Sequence, residues 1–496
     1  MQLSDLLNGL VHVLSKDDVS VNGLSLDSRK VTTGNLFFAI LGNKIDARIF
    51  IKKAINNGAV AILAERQAND LNCYYENSIP VFLVDNLNHI ISQISSRFYK
   101  NPGNLLNLIA VTGTNGKTSC TYYISTLLKY VNQRCALIGT LGCGIIGDII
   151  KGDLTTPDAI TIQKTLLDFV NKNIKHVAME VSSHSLDQGR VNYVPFNIGV
   201  FTNLTRDHLD YHETMENYAK SKAKLFENPW LEYAIINLDD IFGKKLINEI
   251  NGAKIIGYSL SSDNDYKFPV VYAQQIKSNY LGLHAKVYTP WGDGEFYTNL
   301  LGDFNLSNLL AVITVLGLQK IPLKVILEGI SKLSSPPGRM QLIGGNNKPY
   351  IIIDYSHTPD SLEKALLTLN KYPLKKLICV FGCGGERDKG KRPIMARIAE
   401  KLSDIVIVTD DNPRTENAGS IVLDIIKGFL FPDKVILIHE REKAIQEAIN
   451  LANPGDCILI AGKGSENYQQ IGLQKIPFSD LEKANLSLES FDRSEI

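Results

Sequence analysis

The chain has 496 residues, more than one ordinary domain holds, and its 44% apolar content is typical of a globular protein. Its 52 Lys and Arg balance its 52 Asp and Glu, so no whole-chain field selects nucleic acid or an anionic membrane. No stretch reaches the roughly 18 apolar residues of a membrane span, so membrane insertion is not expected. The opening Met1-Gln2-Leu3-Ser4-Asp5-Leu6-Leu7 has no basic segment and no long apolar run, so it is not expected to be a signal peptide. Seven scattered Cys, an odd number with no Cys-x-x-Cys, argue for reduced thiols in a cytoplasmic enzyme.

In chain order, residues 1–98 predict a small α/β module. Apolar runs at 35–40, 59–64 and 81–84 read as strands, with a helical segment near 50–57. A tether at Tyr99-Lys100-Asn101-Pro102-Gly103 closes this unit. Residues 99–334 form a second unit. It opens on the apolar run Leu108-Ile109-Ala110-Val111, then a Gly-rich loop, then a helix over about 119–130. Further strands are expected at 176–180, 198–202 and 233–237; their alternation with helices predicts a mostly parallel sheet. Pro336-Pro337-Gly338-Arg339 marks a second boundary. Residues 335–496 repeat the alternation, with strands at 350–354, 376–381, 404–409 and 456–461. The expected fold is α/β in three domains, with a central P-loop-type sheet and a Rossmann-like C-terminal domain. The last dozen residues are polar and are expected to fray.

Gly113-Thr114-Asn115-Gly116-Lys117-Thr118-Ser119 lies between a strand and a helix, the setting a phosphate-binding loop needs. Glycines let backbone N–H groups cradle phosphate oxygens, and the helix N-terminus adds partial positive charge. Lys117 is expected to neutralise the β- and γ-phosphates, and Thr118 to hold Mg²⁺ through its hydroxyl. Val111 occupies the first glycine position of the common pattern, which points to a specialised subfamily. Two more polar clusters follow strands. In residues 178–190, Glu180 is a candidate metal carboxylate; residues 202–212 are dense in His and Asp. A lone His in such a loop is more often not a ligand, and Mg²⁺ prefers oxygen. Cys379 and Cys383 read as core or loop thiols, because no His or second Cys pair accompanies them. After the apolar run Ile405-Val406-Ile407-Val408, Asp411-Asn412-Pro413-Arg414 stops the strand and turns the chain. Arg414 is left at the carboxyl end of a sheet, suited to gripping a carboxylate by two hydrogen bonds.

These motifs resemble, in order and over nearly the whole chain, those of the Mur ligases, the ATP-dependent peptide-bond-forming enzymes of peptidoglycan synthesis. The likeness rests on the phosphate loop, residues 179–190 and 202–211, Leu301-Gly302-Asp303-Phe304-Asn305-Leu306-Ser307-Asn308 and Pro337-Gly338-Arg339-Met340. Leu26-Asp27-Ser28-Arg29, Asp354-Tyr355-Ser356-His357-Thr358-Pro359-Asp360, Phe381-Gly382-Cys383-Gly384-Gly385, Arg387-Asp388-Lys389-Gly390-Lys391-Arg392-Pro393 and Gly462-Lys463-Gly464 add to it. The chain is most similar to members that add the third amino acid to UDP-N-acetylmuramoyl-L-alanyl-D-glutamate. Asp-Asn-Pro-Arg is the version used for meso-diaminopimelate; lysine-adding relatives replace the Arg.

The resemblance implies a ligase of the bacterial cytoplasm, serving cell-wall biogenesis and so cell shape and division, with ATP as substrate and Mg²⁺ as cofactor. It implies that Leu26, Ser28 and the loop Asn43-Lys44-Ile45 contact the uridine diphosphate end. Leu154, Thr155, Thr156, Ser182, Gln188 and Arg190 hold the muramoyl-dipeptide. Thr118, Glu180 and His208 surround the metal, joined by Lys222, which matches the family's carbamylated lysine; Lys220 and Lys224 are its neighbours. Asn305 and Asn308 meet adenine, and Arg339 and Asp354 hold the nucleotide. Arg387, Asp411, Asn412, Pro413, Arg414, Gly462 and Glu466 bind diaminopimelate. Asn43, Gln341, Ser356 and Ser465 depart from the usual family residues. Two alternatives stand beside this reading. One is another ligase of the superfamily, lysine-adding or folylpolyglutamate-forming, against which Arg414 and the 26–29 motif speak. The other is a nucleotide-binding regulator that performs no ligation.

Overall fold

In the computed structural model, residues 1–42, 45–67, 72–262, 266–279 and 282–491 are described, and they carry three large sheets. The first has five strands, in the order Gly23–Ser25, Asn35–Ala39, Ala59–Glu65, Ile79–Val84 and Cys73–Glu76. All pair in parallel except the last, a hairpin partner. Asn35–Ala39 is buried along its whole length, as its unbroken apolar run requires of a central parallel strand. The core of this unit, with Leu6, Phe38 and Leu63, continues onto Ala159 and Ile160 of the helix Ala159–Asn171. That apolar continuity fixes the first unit against the second.

The second sheet has eleven strands. Asn107–Thr112 lies at its heart, between His176–Glu180 and Ile198–Phe201, all parallel. After Asn107–Thr112 the chain first builds one side of the sheet, through Cys135–Gly139 and His176–Glu180. It then crosses to the other, through Ile198–Phe201, Tyr233–Asn237 and Lys254–Ser259. The crossing makes a topological switch point, where open α/β sheets form a crevice beyond the strand carboxyl ends. Antiparallel strands extend both edges: Gly142–Ile145 and Asp148–Ile150 on one, Gly282–Thr289 and Gly292–Thr298 on the other. The helix Lys117–Tyr130 begins two residues earlier than the sequence suggested. Asp303–Leu318, apolar around most of its circumference, lies beside it in one core.

The third sheet has six strands, in the order Gln341–Gly344, Tyr350–Asp354, Cys457–Ala461, Leu377–Phe381, Ile405–Val408 and Ile436–Leu437. The four expected strands are present and pair in parallel; Gln341–Gly344 is an antiparallel edge. Helices cover both faces around two apolar clusters. A separate hairpin, Tyr468–Ile471 with Gln474–Pro477, packs on the turn after Ile405–Val408.

The expected fraying of the last dozen residues is corrected over 485–489. Asp480–Glu489 is a helix capped by the Ser479 hydroxyl, with Ala484 and Leu488 buried against the sheet. Only residues 492–496 of that tail lie outside the described residues. Asp480 also binds Arg441 through two hydrogen bonds, at 2.7 and 2.8 Å, with both side chains 0% exposed. Asp480→Ala is expected to leave a buried guanidinium without its partner and to cost about 3–5 kcal/mol. Urea unfolding should therefore show a clearly lowered midpoint; an unchanged one would mean that the pair does not anchor the helix.

Candidate functional site

The phosphate loop leaves the central strand Asn107–Thr112 at the switch point. Gly113 and Gly116 have φ of 143° and 90°, values that an L side chain rarely adopts. A Cβ at Gly113 would also collide with the Thr202 hydroxyl of the neighbouring strand end. The loop is stitched to that strand end. Asn115 N–H donates to Asn203 Oδ1 at 3.0 Å, and Thr202 Oγ1 donates to the Asn115 carbonyl at 2.6 Å. Lys117 curls back over the loop, its Nζ donating to the carbonyls of Gly113 and Thr114, each at 2.8 Å. Burial pulls the Lys117 pKa below its ordinary value, and the Arg339 guanidinium pulls the same way against Glu180.

Glu180 ends the next strand and is 1% exposed. Its Oε1 accepts from Thr140 N–H at 2.8 Å, and its Oε2 accepts from the Thr118 and Thr140 hydroxyls at 3.0 and 3.1 Å. Lys222 projects from the helix Met215–Ala223 into the same place. It is 1% exposed, donates to the Gly113 carbonyl at 2.9 Å and lies over the Tyr218 ring. Burial drives its pKa well below the lysine value, and the Lys117 ammonium adds to the effect. Its neighbours point elsewhere: Lys220 pairs with Glu216 in solvent at 2.7 Å, and Lys224 with Asp187 at 2.9 Å. His208 adopts φ of 55°, with Nε2 3.3 Å from the buried Asp207 carboxylate. Burial pushes the His208 pKa well down, so its ring is neutral near pH 7. Among the described residues no cluster of three or more His, Cys, Asp or Glu forms a ready metal cage.

Asn305 and Asn308 line a cleft of about 670 Å³ with Asn115, Gly116, Ser119, Arg339 and Asp354. Asn305 is held by the Tyr123 hydroxyl, which donates to its Oδ1 at 3.2 Å, and by its own bond to the Leu301 carbonyl. Arg339 crosses from the third unit, donating to Thr118 Oγ1 at 2.9 Å and stacking on the Tyr355 ring. Two of the unusual residues have local roles. Ser356 donates to Asp354, and Gln341 Oε1 accepts from Gly338 N–H at 2.9 Å, closing the Pro-Gly-Arg turn.

A second cleft, of about 230 Å³, is lined by Thr118, Thr155, Glu180, Ser182, His208 and Lys222 from the central unit. From the third unit it is lined by Arg387, Asp411, Asn412, Arg414, Gly462 and Glu466. Arg414 has φ of 54°; its Nη1 donates to the Gly385 carbonyl at 2.7 Å and its backbone N–H to Gln470. The Pro413 carbonyl accepts from Glu416 N–H, so that residue shapes the turn. Gly462 has φ of 120°, and a Cβ there would meet the Asp411 carboxylate. The third unit is docked by polar contacts. Arg206 binds Asp388 at 2.8 and 3.0 Å, Asn115 Nδ2 donates to Asp360 at 2.8 Å, and Lys475 pairs with Asp153 at 2.8 Å.

The residues expected around the nucleotide-sugar substrate divide into two groups. Thr156 Oγ1 donates to the Glu180 carbonyl at 2.8 Å and accepts from Ser182 N–H. Arg190 joins Thr156 to Gln188, bonding the Thr156 carbonyl at 2.9 Å and Gln188 Oε1 at 3.0 Å. Thr155 lies 3.1 Å from the Thr140 hydroxyl. Leu154 is half exposed and lines a different cavity, beside the helix Ala159–Asn171. Leu26 packs on the core of the first unit, Ser28 is buried there with its carbonyl bonded to Asn57, and Ile45 is exposed. No described contact joins these three to Thr155 or Arg190. Asn43 and Lys44 lie outside the described residues. Sequence reasoning missed Thr140, Asp207 and Lys391, which hold or line the site. The apolar run Cys135-Ala136-Leu137-Ile138 before Thr140 carried a strand signal that would have exposed the first of them.

Three family models match the chain: "Mur ligase family, catalytic domain" over residues 20–99, "Mur ligase middle domain" over 111–316, and "Mur ligase, glutamate ligase domain" over 338–464. A UDP-N-acetylmuramoyl-L-alanyl-D-glutamate--2,6-diaminopimelate ligase of Coxiella burnetii is 45% identical, with 98% of this chain and 99% of the relative covered. The ligase of the same name from Pseudomonas aeruginosa is 45% identical, with 96% of each covered. A solved structure of a protein of that name superposes with a TM-score of 0.69 at 34% identity, covering 99% of both chains. MurF ligase from Thermotoga maritima in complex with ADP, 18% identical, shares the fold with a TM-score of 0.64 over 95% of this chain and 97% of that one. The chain is therefore a member of the Mur ligase family of ATP-dependent, amide-bond-forming enzymes.

Proposed function

We propose that the chain joins meso-diaminopimelate to the D-glutamate of UDP-N-acetylmuramoyl-L-alanyl-D-glutamate, as a cytoplasmic step in bacterial peptidoglycan precursor synthesis. The observation that carries this reading is one cleft with two chemistries on its walls. Glu180 and Lys222, beside the phosphate loop, face Arg414 and Glu466. The relatives that add 2,6-diaminopimelate by name, at 45% identity over nearly the whole chain, support it. In this division of labour, residues 1–98 take the uridine diphosphate end, 99–334 take ATP and the muramoyl-dipeptide, and 335–496 take the amino acid.

ATP is required because a carboxylate is a poor electrophile. The D-glutamate carboxylate attacks the γ-phosphate to give an acyl phosphate and ADP. The diaminopimelate amine then attacks that carbonyl, and phosphate leaves the tetrahedral intermediate. The protein contributes position and charge: Lys117 and Arg339 converge where the phosphoryl group gathers negative charge. Thr118 and Glu180 offer the hard oxygen donors that Mg²⁺ prefers, and their hydrogen bond sets them side by side. A Lys222 ammonium does not suit a cation, whereas a carbamate on that nitrogen would join them, with His208 beside it. Bound there, Mg²⁺ would supply further positive charge to the phosphate oxygens.

Phosphate release measured with each candidate amino acid, with and without the UDP-muramoyl-dipeptide, tests the assignment. Release that is independent of both acceptors would favour a nucleotide switch instead. Lys117→Ala is expected to lose ~10² or more in kcat, about 3 kcal/mol of transition-state stabilisation; near-normal turnover would remove Lys117 from the reaction. Lys222→Ala is expected to be inactive and partly rescued by small carboxylic acids, whereas Lys220→Ala, which loses only a solvent-exposed ion pair, stays close to wild type. The reverse pattern would move the proposed carbamate to another lysine. Arg414→Ala is expected to lower the kcat/KM ratio of meso-diaminopimelate to L-lysine by ~10³, since lysine lacks the carboxylate that the guanidinium is proposed to hold. An unchanged ratio would exclude Arg414 as the selector.

A further inference from the structure

Lys463 is 0% exposed and stands one layer behind the cleft wall. Its ammonium donates to Asn412 Oδ1 at 3.1 Å and to Glu466 Oε2 at 2.9 Å. Asn412 Oδ1 also accepts from Gln470 N–H at 2.8 Å. Both neighbours of that oxygen are donors only, so the amide has a single orientation. Its Nδ2 is turned to Glu466 Oε2 and donates there at 2.8 Å. Glu466 Oε2 thus accepts twice, while among the described residues Oε1 meets no protein donor. The buried cation, together with the Gln470 N–H, therefore sets which atoms the two wall residues present: one N–H of Asn412 and one oxygen of Glu466.

It also sets the charge of that wall. Arg414 and Lys463 together balance Glu466 and Asp411, Arg387 and Lys391 lie 3.8 and 3.9 Å from Asp210 and Asp207, and Asp480 already neutralises Arg441 behind them. An amino acid whose far end is a zwitterion brings a carboxylate for Arg414 and an ammonium for Glu466, and adds no net charge. One that ends in a bare ammonium adds an unbalanced cation to the same small volume.

We propose that Lys463 is a positioning residue that sets amino-acid specificity. It orients Asn412, neutralises Glu466, and so makes the site accept a zwitterionic far end and turn away a cationic one. This rests on the reaction assigned under Proposed function. Removing the Lys463 charge relieves the repulsion felt by a lone ammonium, while a zwitterion, being nearly dipolar, gains little. Unit charges several ångströms apart at an effective dielectric near 20 interact strongly enough for a tenfold change or more.

The test is kcat/KM for meso-diaminopimelate and for L-lysine at saturating ATP and UDP-muramoyl-dipeptide, in wild type, Lys463→Met and Lys463→Arg. A wild-type rate with lysine below detection enters as its limit. Lys463→Met is expected to lower the diaminopimelate-to-lysine ratio about tenfold or more. The change should lie in KM, with kcat for diaminopimelate largely kept. Lys463→Arg, which keeps the charge, should hold the ratio close to wild type. An unchanged ratio in the Met variant, or an equal shift in the Arg variant, overturns the proposal. Thermal unfolding and nucleotide affinity report whether the Met variant folds. If it does not, Lys463→Gln, which keeps a donor without the charge, is judged by the same ratio. A wild type that releases no phosphate with meso-diaminopimelate overturns the assigned reaction and this proposal with it; an unmoved ratio in an active enzyme overturns this proposal alone.

Discussion

Positive charge crowded around one buried carboxylate is the constraint on which the rest of this structure depends. Lys117, Lys222 and Arg339 converge on the Gly113–Thr118 backbone and on Glu180, within bonding reach of one another's partners. Like charges so placed repel, and burial withdraws the water that would screen them, so the pKa values of both lysines are pushed down and their protonated forms are costly here. Backbone carbonyls of Gly113 and Thr114 answer part of that field, which is why both lysines fold back onto the loop. The remainder is a standing demand for anions. The glycines, the switch-point crevice and the clamped Thr202–Asn203 segment all serve to hold these cations at close quarters.

The third unit is held to this centre by polar contacts and by Leu301 and Phe304, which pack on its apolar core. Arg206–Asp388, Asn115–Asp360 and Lys475–Asp153 are partly solvated, and such an interface adds little net stability. The first unit, by contrast, shares an apolar core with the helix Ala159–Asn171. The two outer units are therefore joined to the middle by different physics. The first seam is mainly apolar, whereas the second combines solvated ion pairs with a small apolar contact of Leu301 and Phe304 on the core of the third unit.

Much of this was legible because function sits at strand ends, and buried parallel strands write themselves as apolar runs. His176–Glu180, Tyr233–Asn237 and Tyr350–Asp354 were readable to the residue, and the motifs after them fell at the right edge of the sheet. Gly142–Ile145, Asp148–Ile150 and the hairpin Tyr468–Pro477 were not. Their strands are short, partly exposed and weakly alternating, so they lack the burial that produces a pattern. The tail misled for a different reason: its apolar residues, Leu481, Ala484, Leu486 and Leu488, are dispersed among polar ones, and the buried Asp480–Arg441 pair that anchors the helix joins residues 39 apart. In the site, Lys222 was recognisable only by family likeness. Its burial follows from the way the helix Met215–Ala223 is aimed at the phosphate loop, a tertiary fact that one lysine among three does not announce.

The cleft lined by Asn305 and Asn308 and the cleft between Glu180 and Glu466 share a wall made of Asn115, Gly116, Arg339 and Tyr355. Molecules bound on either side of that wall are separated by little more than the phosphate loop. A single inhibitor with an adenine-like head, an anionic middle and an amino-acid tail would span both. Its second anchor would bind at an effective concentration set by a short tether instead of by dose. The head alone faces competition from every nucleotide-binding protein in a cell; the tail, reaching the Asp411–Arg414 turn, would confer selectivity.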